Sequence, residues 1–480
     1  MNQLFKALRI KDELTENLMP THSSSDNYLL DMFFKMGGSR DLDPQEIARM
    51  FNGAWGEDPL LTLKATFYNR DIRGGQGERK SFRIFFHILC NFHPEIALKN
   101  FENVIKFGRW DDILVALDSP LAEPCADFIL FALKNGDGLC AKWMPRENKS
   151  LGEVAKILMR IWGISPKEYR KLLSGNTQVV ENLMCKKEWG EINYGHVPSV
   201  ASFKYRKAFL RNDRKRYGEY LAKVAKGEAK IHAEAIFPHT IIQPILKHLT
   251  KLSRFWDYKE LSAEEISMLQ SQWVSLPNWL NETENLNLIT VNDVSGSMHG
   301  LPLEVCVALG IYISERNKGI FKDGFITFSG RPQLQYLKGD LISKVSQLMT
   351  AAWEGNTNLM AVFDLLLSSA VRENIPEEQM PRIILILSDM QFDYCVRNPN
   401  LSAMEMIKAQ YTEHGYKLPQ IIFWNLRTSS GIPVKFNESG TALVSGFSPS
   451  LMKSIVGGEL TPMKMLLSIL NQERYNSVTL

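Results

Sequence analysis

One change in the spacing of apolar residues constrains this chain more than any motif in it. From residue 27 to about 275 apolar side chains recur at helical intervals, as in Asn27-Tyr-Leu-Leu-Asp-Met-Phe-Phe-Lys-Met and Ser81-Phe-Arg-Ile-Phe-Phe-His-Ile-Leu, and convincing alternating strands are absent. Breaks at Gly74-Gly75, Asn135-Gly136, Ser165-Pro166 and Phe237-Pro238 cut this stretch into short helices of the length found in helix-pair solenoids. No clean internal repeat accompanies them. Beyond Asn281-Glu-Thr-Glu-Asn strands and helices alternate. The reading is a β-branched strand over 286–293, a helix from Leu301, a strand at Gly324-Phe-Ile-Thr-Phe and helices around 341–349 and 358–371. A strand Arg382-Ile-Ile-Leu-Ile-Leu-Ser-Asp, a helix over 402–415 and a strand Gln420-Ile-Ile-Phe-Trp-Asn follow. The strand from Arg382 is apolar on both faces, as a central parallel strand between helix layers must be. A chain of 480 residues also exceeds the roughly 250–300 at which a single core stops growing. The expectation is an all-helical module over residues 1–280 followed by a doubly wound α/β domain over residues 286–480.

The composition, 45% apolar and 23% charged, is that of a folded globular protein. The net charge of +3 is unevenly divided: residues 286–480 carry 16 Lys and Arg against 17 Asp and Glu, residues 1–285 carry 40 against 36. Lys6, Arg9, Lys11, Asp12, Glu13 and Glu16 interrupt the first twenty residues and deny them the apolar stretch of a secretory signal; no apolar run approaches the ~20 residues of a membrane span. A cytoplasmic protein with no membrane partner is expected. Cys90, Cys125, Cys140, Cys185, Cys306 and Cys395 are scattered singly, which predicts reduced, mostly buried thiols in place of a zinc site or disulfide framework.

Asp293-Val-Ser-Gly-Ser297 directly follows the first strand of the expected sheet, where open α/β sheets bind their ligands. Asp293, Ser295 and Ser297 put one carboxylate and two hydroxyls on a tight loop, and Gly296 permits backbone conformations that other residues resist. Two more oxygen donors fall on loops that the same sheet would gather: Thr357 in Glu354-Gly-Asn-Thr-Asn, before a helix, and Asp389, closing the most apolar strand. Oxygen-only ligands with few carboxylates suit Mg2+, or another divalent cation, better than Ca2+. A cation so incompletely wrapped keeps a position open to an outside ligand. Taken alone, the pentapeptide equally suits a Ser-rich turn capping the helix from Leu301. It is not a nucleophile elbow, since neither serine has Gly on both sides at two-residue spacing. A phosphotransferase of the haloacid-dehalogenase type would need a second Asp where Ser295 stands. His299 reads as an ordinary loop histidine, and Asp393 as a group supporting the site or capping a helix.

In the helical part, Lys204, Arg206, Lys207, Arg211, Arg214, Lys215, Arg216, Lys223, Lys226 and Lys230 face only Asp213, Glu219 and Glu228 within residues 201–230. Tyr205, Phe209, Tyr217 and Tyr220 are interleaved with them, the pairing of cations and stackable rings that binders of single-stranded nucleic acid use. An amphipathic helix with rings packed inward and charges merely solvated fits the segment as well. Glycines in Asn69-Arg-Asp-Ile-Arg73-Gly-Gly-Gln-Gly-Glu-Arg79-Lys80 precede a helix start, so free backbone N–H groups beside Arg73, Arg79 and Lys80 could hold a phosphate. A tight inter-helix turn is the equal alternative, and no Walker loop is present.

Asp-x-Ser-x-Ser, the Thr of Gly-Asn-Thr-Asn and the Asp ending a strand resemble the metal-ion-dependent adhesion site of von Willebrand A domains, which are Rossmann-like. Arg70-Asp-Ile-Arg-Gly-Gly-Gln-Gly-Glu-Arg, Ala141-Lys-Trp-Met-Pro-Arg and Trp189-Gly-Glu-Ile-Asn-Tyr-Gly-His-Val-Pro-Ser-Val-Ala-Ser are similar to the TROVE-like helical module found with such a domain, a family related to the Ro ribonucleoproteins. The resemblance runs from about residue 25 to 470 with the domains in the same order. It implies HEAT-like helix pairs in a ring or arc closed by the metal-bearing domain, with structured small RNA or single-stranded RNA ends on the helical part. No individual RNA contact carries over. The resulting expectation is a non-catalytic RNA-binding ribonucleoprotein scaffold with a metal-binding domain. The alternative is a protein-interaction adaptor whose metal takes an Asp or Glu from a partner. An enzyme is disfavoured, because a Mg2+ nuclease usually gathers more carboxylates than Asp293 and Asp389.

Overall fold

The computed structural model describes residues 13–177, 179–226, 228–229, 236–252, 261–280, 287–351, 356–394, 403–428, 431–455 and 460–480. The chain forms two compact units. One comprises the residues up to Asp43, Met50–Asp58 and Phe237–Gln472; the other comprises Pro44–Arg49, Pro59–Ile236 and Glu473–Leu480. This interleaving differs from the simple cut expected near residue 280. Helical periodicity announces a helix but not which core receives its apolar face, so α1 (Tyr28–Met36) and the helices Pro238–Leu252 and Ala263–Val274 belong to the unit that holds the sheet.

The second unit is helical. It includes α2 (Pro59–Arg70), α3 (Lys80–Phe92), a run of shorter helices, and the pair α4 (Ser199–Asn212) and α5 (Arg214–Ala225). The expected breaks fall where helices end. One helix stops at Lys134 before Gly136, which adopts φ +78, and Pro166–Asn176 begins with a Ser165–Glu168 capping box and Pro at its start. Phe67 anchors the core, its ring 5.8 Å from Phe82, 6.5 Å from Phe86 and 5.7 Å from Phe107. Cys90, Cys125 and Cys140 are buried here and Cys185 is exposed, none of them in a disulfide; Cys395 lies outside the described residues.

The first unit is built on six strands: β1 (Leu288–Asn292), β2 (Gly324–Thr327), β3 (Leu334–Tyr336), β4 (Ile383–Ser388), β5 (Gln420–Asn425) and β6 (Thr441–Ser445). Their order is β3-β2-β1-β4-β5-β6, parallel except for the antiparallel edge strand β3. Every residue of β1, β4 and β6 is buried, so both faces are covered. The intervening helices are α6 (Leu301–Arg316), α7 (Leu341–Thr350), α8 (Leu359–Glu373) and α9 (Ala403–Glu413), with α10 (Pro462–Leu470) after β6. From β1 the chain first builds outward to β2 and β3, then returns to lay β4 on the other side of β1. The crevice between the carboxyl ends of β1 and β4 is the point where strand order reverses.

Sequence reading did not find the edge of this unit formed by residues 13–21. Glu13–Leu14 pairs antiparallel with Pro20–Thr21, and the loop between them lies against residues 391–394. Among the described residues no helix is long and apolar enough to cross a membrane.

Candidate functional site

Parallel pairing puts Asn292 opposite Leu387, and the Asp293 amide donates to the Leu387 carbonyl at 3.0 Å, so the residues ending β1 and β4 come side by side. Asp293 is fully buried and Asp389 nearly so. One Asp293 oxygen accepts from the Ser295 amide at 3.0 Å, the other from the Ser388 hydroxyl at 2.6 Å. The Ser295 and Ser297 hydroxyls lie 3.1 Å apart, and Asp389 accepts from the Gln391 amide at 3.2 Å. Burial, reinforced by the neighbouring Asp389 charge, pushes the Asp293 carboxyl up to about 6; burial likewise raises Asp389, against the Ser297 hydroxyl and the Gln391 amide. Two carboxylates brought this close in a dry crevice repel each other unless a cation or proton intervenes. The donors around them, all oxygen and partly open to solvent at Ser295 and Ser297, are those a hard divalent cation prefers.

Four of the five anticipated metal residues are thus brought together. Thr357 lies on the adjoining loop: its hydroxyl is shared between the Gln391 carbonyl at 3.0 Å and the Asp393 carboxylate at 3.1 Å, and its amide donates to Asp393 at 2.7 Å. Its connection to Asp389 runs through Gln391, two residues on. Asp393 holds the Thr357 loop through these bonds, and His299 is exposed. Two neighbours were not anticipated. Arg427, after β5, donates to the Ser297 carbonyl at 2.7 Å, and Asn17 donates to the Gln391 carbonyl at 2.9 Å and to Thr357 Oγ1 at 3.4 Å. Neither carries a local signal, since each reaches the rim only through the tertiary fold.

In the helical unit, the loop from Asp71 to Arg79 is a tight turn. A Cβ on Gly75 would lie 2.0 Å from the Tyr68 carbonyl oxygen, and Gly77 takes φ +66. The Asp71 carboxylate accepts from Arg474 and from the Tyr475 hydroxyl at 3.1 Å. The Arg79 and Lys80 amides at the start of α3, the anticipated phosphate cradle, both donate to the Glu78 carboxylate at 3.0 Å. An anion there would have to displace a resident one, which corrects the phosphate reading. The side chains of Arg73, Arg79 and Lys80 remain exposed. Two of the three motif segments converge nearby on residues 109–112. Arg70 is buried against Asp112, Arg83 bridges Asp111 and Asp112, and Arg109 binds Asp111 while stacking 3.9 Å over Trp143.

The basic segment folds as α4 and α5 with its charges and rings on opposite sides. Phe209 and Tyr217 are fully buried, and Tyr194 packs on Phe209, Tyr217 and Tyr220 at 5.2, 4.9 and 5.8 Å. Of the two readings of the segment, the amphipathic one with rings packed inward holds for Phe209 and Tyr217, which are core. Lys204, Lys207, Arg211, Arg214, Lys215 and Lys223 are exposed, and Lys204, Lys207 and Arg211 share one helical face by their spacing. Arg206 and Arg216 have structural duties instead. Arg206 stacks on Phe203 and bonds its carbonyl, and Arg216 donates to the Trp189 and Ile192 carbonyls at 2.8 and 2.9 Å, pinning the third motif segment. Lys230 lies outside the described residues.

Residues 15–122 and 153–286 match the family described as Domain of unknown function (DUF2828), and residues 287–473 match Domain of unknown function (DUF7788). An uncharacterised protein of Acanthamoeba polyphaga mimivirus is 31% identical over 520 residues, covering 97% of this chain and 88% of its own length. The crystal structure of the Deinococcus radiodurans Ro (Rsr) protein matches with a TM-score of 0.50 at 12% identity, over 93% of this chain and 99% of the other. That likeness is one of fold.

Proposed function

Given that the chain belongs to the DUF2828 family, with a DUF7788 domain following its helical part, we propose that it is a non-catalytic RNA-binding scaffold whose sheet unit is a von Willebrand A-type domain holding Mg2+. The observation that carries the RNA assignment is the exposed cations Lys204, Lys207 and Arg211 along one face of α4, with Lys215 exposed on α5, while the rings of Phe209 and Tyr217 are buried. Exposed cations of this kind neutralise phosphates without reading sequence. The fold shared with a Ro protein supports the same reading. Filter binding of a structured small RNA and of a single-stranded oligonucleotide tests it. Four phosphate contacts predict a roughly 50- to 150-fold loss of affinity between about 50 and about 200 mM salt. Binding that is undetectable, or indifferent to salt, counts against it.

In the sheet unit, Asp293, Asp389, Ser295 and Ser297 would hold the cation, with Thr357 reaching it through a water. The bound ion would supply a concentrated positive charge with a position open to an incoming carboxylate. That opening supports a second reading, an adaptor that captures a protein through an exposed Asp or Glu. Pull-down after nuclease digestion separates the two, since Asp293→Ala would abolish such capture and leave RNA affinity unchanged. The buried thiols of Cys90, Cys125, Cys140 and Cys306 fit a reducing compartment such as the cytoplasm.

A further inference from the structure

The loop of residues 15–19 crosses the rim beside the carboxylate pair, and its bonding there is specific. Thr15 and Met19 are buried at its two ends, and the Thr15 hydroxyl donates to the Phe392 carbonyl at 2.7 Å. Between these anchors the Glu16 amide donates to Gln391 Oε1 at 2.6 Å, the Asn17 amide group donates to the Gln391 carbonyl at 2.9 Å, and the Tyr394 amide donates to the Asn17 carbonyl at 3.0 Å. Gln391 is also the residue whose backbone amide holds the Asp389 carboxylate at 3.2 Å. One residue, Gln391, therefore links the Glu16 backbone through its side chain to the Asp389 carboxylate through its amide. The Glu16 side chain is exposed, and its charge is felt at Asp389, where it adds to the repulsion there. Across the rim the Arg427 charge acts on Asp389 in the opposite sense, and its guanidinium is bonded to the Ser297 carbonyl.

We propose that Glu16 is the chain's own carboxylate for the open position of the cation, so that residues 15–19 form an internal ligand that an outside carboxylate must displace. This rests on the reading of the β1–β4 crevice as a metal site. The physical basis is effective concentration. A carboxylate tethered by a short, anchored loop meets the ion at a local concentration that a free one does not reach. The bonds to Gln391 fix the loop backbone, and the Glu16 carboxylate stands on an exposed two-methylene stem.

The test is titration of the full chain with Mn2+, read by calorimetry and by water-proton relaxation of the bound ion. It compares the wild type, Glu16→Gln and Asp293→Ala. Glu16→Gln, an exposed substitution that keeps the backbone bond to Gln391, is expected to weaken Mn2+ binding about tenfold and to add one exchangeable water to the bound ion. Asp293→Ala is expected to abolish binding. If Glu16→Gln binds Mn2+ with wild-type affinity and the same number of waters, the internal-ligand proposal is overturned while the metal site stands. If the wild type takes up no Mn2+, or Asp293→Ala binds as the wild type does, the metal reading beneath it fails as well.

Discussion

Single residues divide into those that build the molecule and those left on its surface. Gly75 is the clearest of the builders, because any side chain there meets the Tyr68 carbonyl. Gly75→Ala is expected to cost about 2 kcal/mol or more in a denaturant melt, without altering the charge of the surface. His239 makes a different prediction. It is fully buried between Phe237 and Phe447, its Nδ1 has no hydrogen-bond partner, and burial, with the Arg40 charge second, lowers its imidazole to about 3. Its folded value lies below its unfolded one, so the unfolded chain takes up the extra proton between about pH 6.5 and pH 3. Stability is full above that window and falls as pH drops through it. Urea melts at pH 7 and pH 5 should differ by about 1–2 kcal/mol more in the wild type than in His239→Phe. Equal differences would show that His239 is not held neutral.

At the scale of elements, the legible features were those whose chemistry is local. The unbroken apolar run of β4 and the alternation through α6, α7, α8, α9 and β5 were read within a few residues. The edge strand β3 is three residues long and partly exposed, too short to show a period, and β6 and α10 lay beyond the last clear strand signal. The loop at 15–19 had no signature at all, because its role is set by partners more than three hundred residues away. The α4–α5 pair shows the limit most plainly. Composition revealed both cations and rings, but helical geometry sends Phe209 and Tyr217 inward and Lys204 and Arg211 outward, and only the former arrangement was undecidable from sequence. Arg216 and Arg211 look alike in sequence yet differ in duty. Arg216→Ala, which removes two bonds to the carbonyls of the 189–192 segment, is expected to destabilise the helical unit by about 2 kcal/mol. Arg211→Ala should leave stability unchanged within about 0.5 kcal/mol and weaken RNA binding, as paired melts and filter assays can show.

At the scale of the whole molecule, two separately cored units share one chain that passes between them several times, so neither is a simple segment that truncation would isolate. Each carries a chemically distinct surface: exposed cations on the helical unit, and a buried pair of carboxylates at the strand-reversal point of the sheet unit. On the proposed reading the first surface would hold RNA and the second would make a cation-dependent contact. The most direct test is the nucleic acid that copurifies with the full chain. The account predicts nuclease-sensitive RNA on the wild-type protein and its loss when Lys204, Arg211 and Lys215 are all changed to Glu, with thermal unfolding unchanged. A wild-type protein free of RNA, or a charge-reversed protein that retains it, would contradict the account.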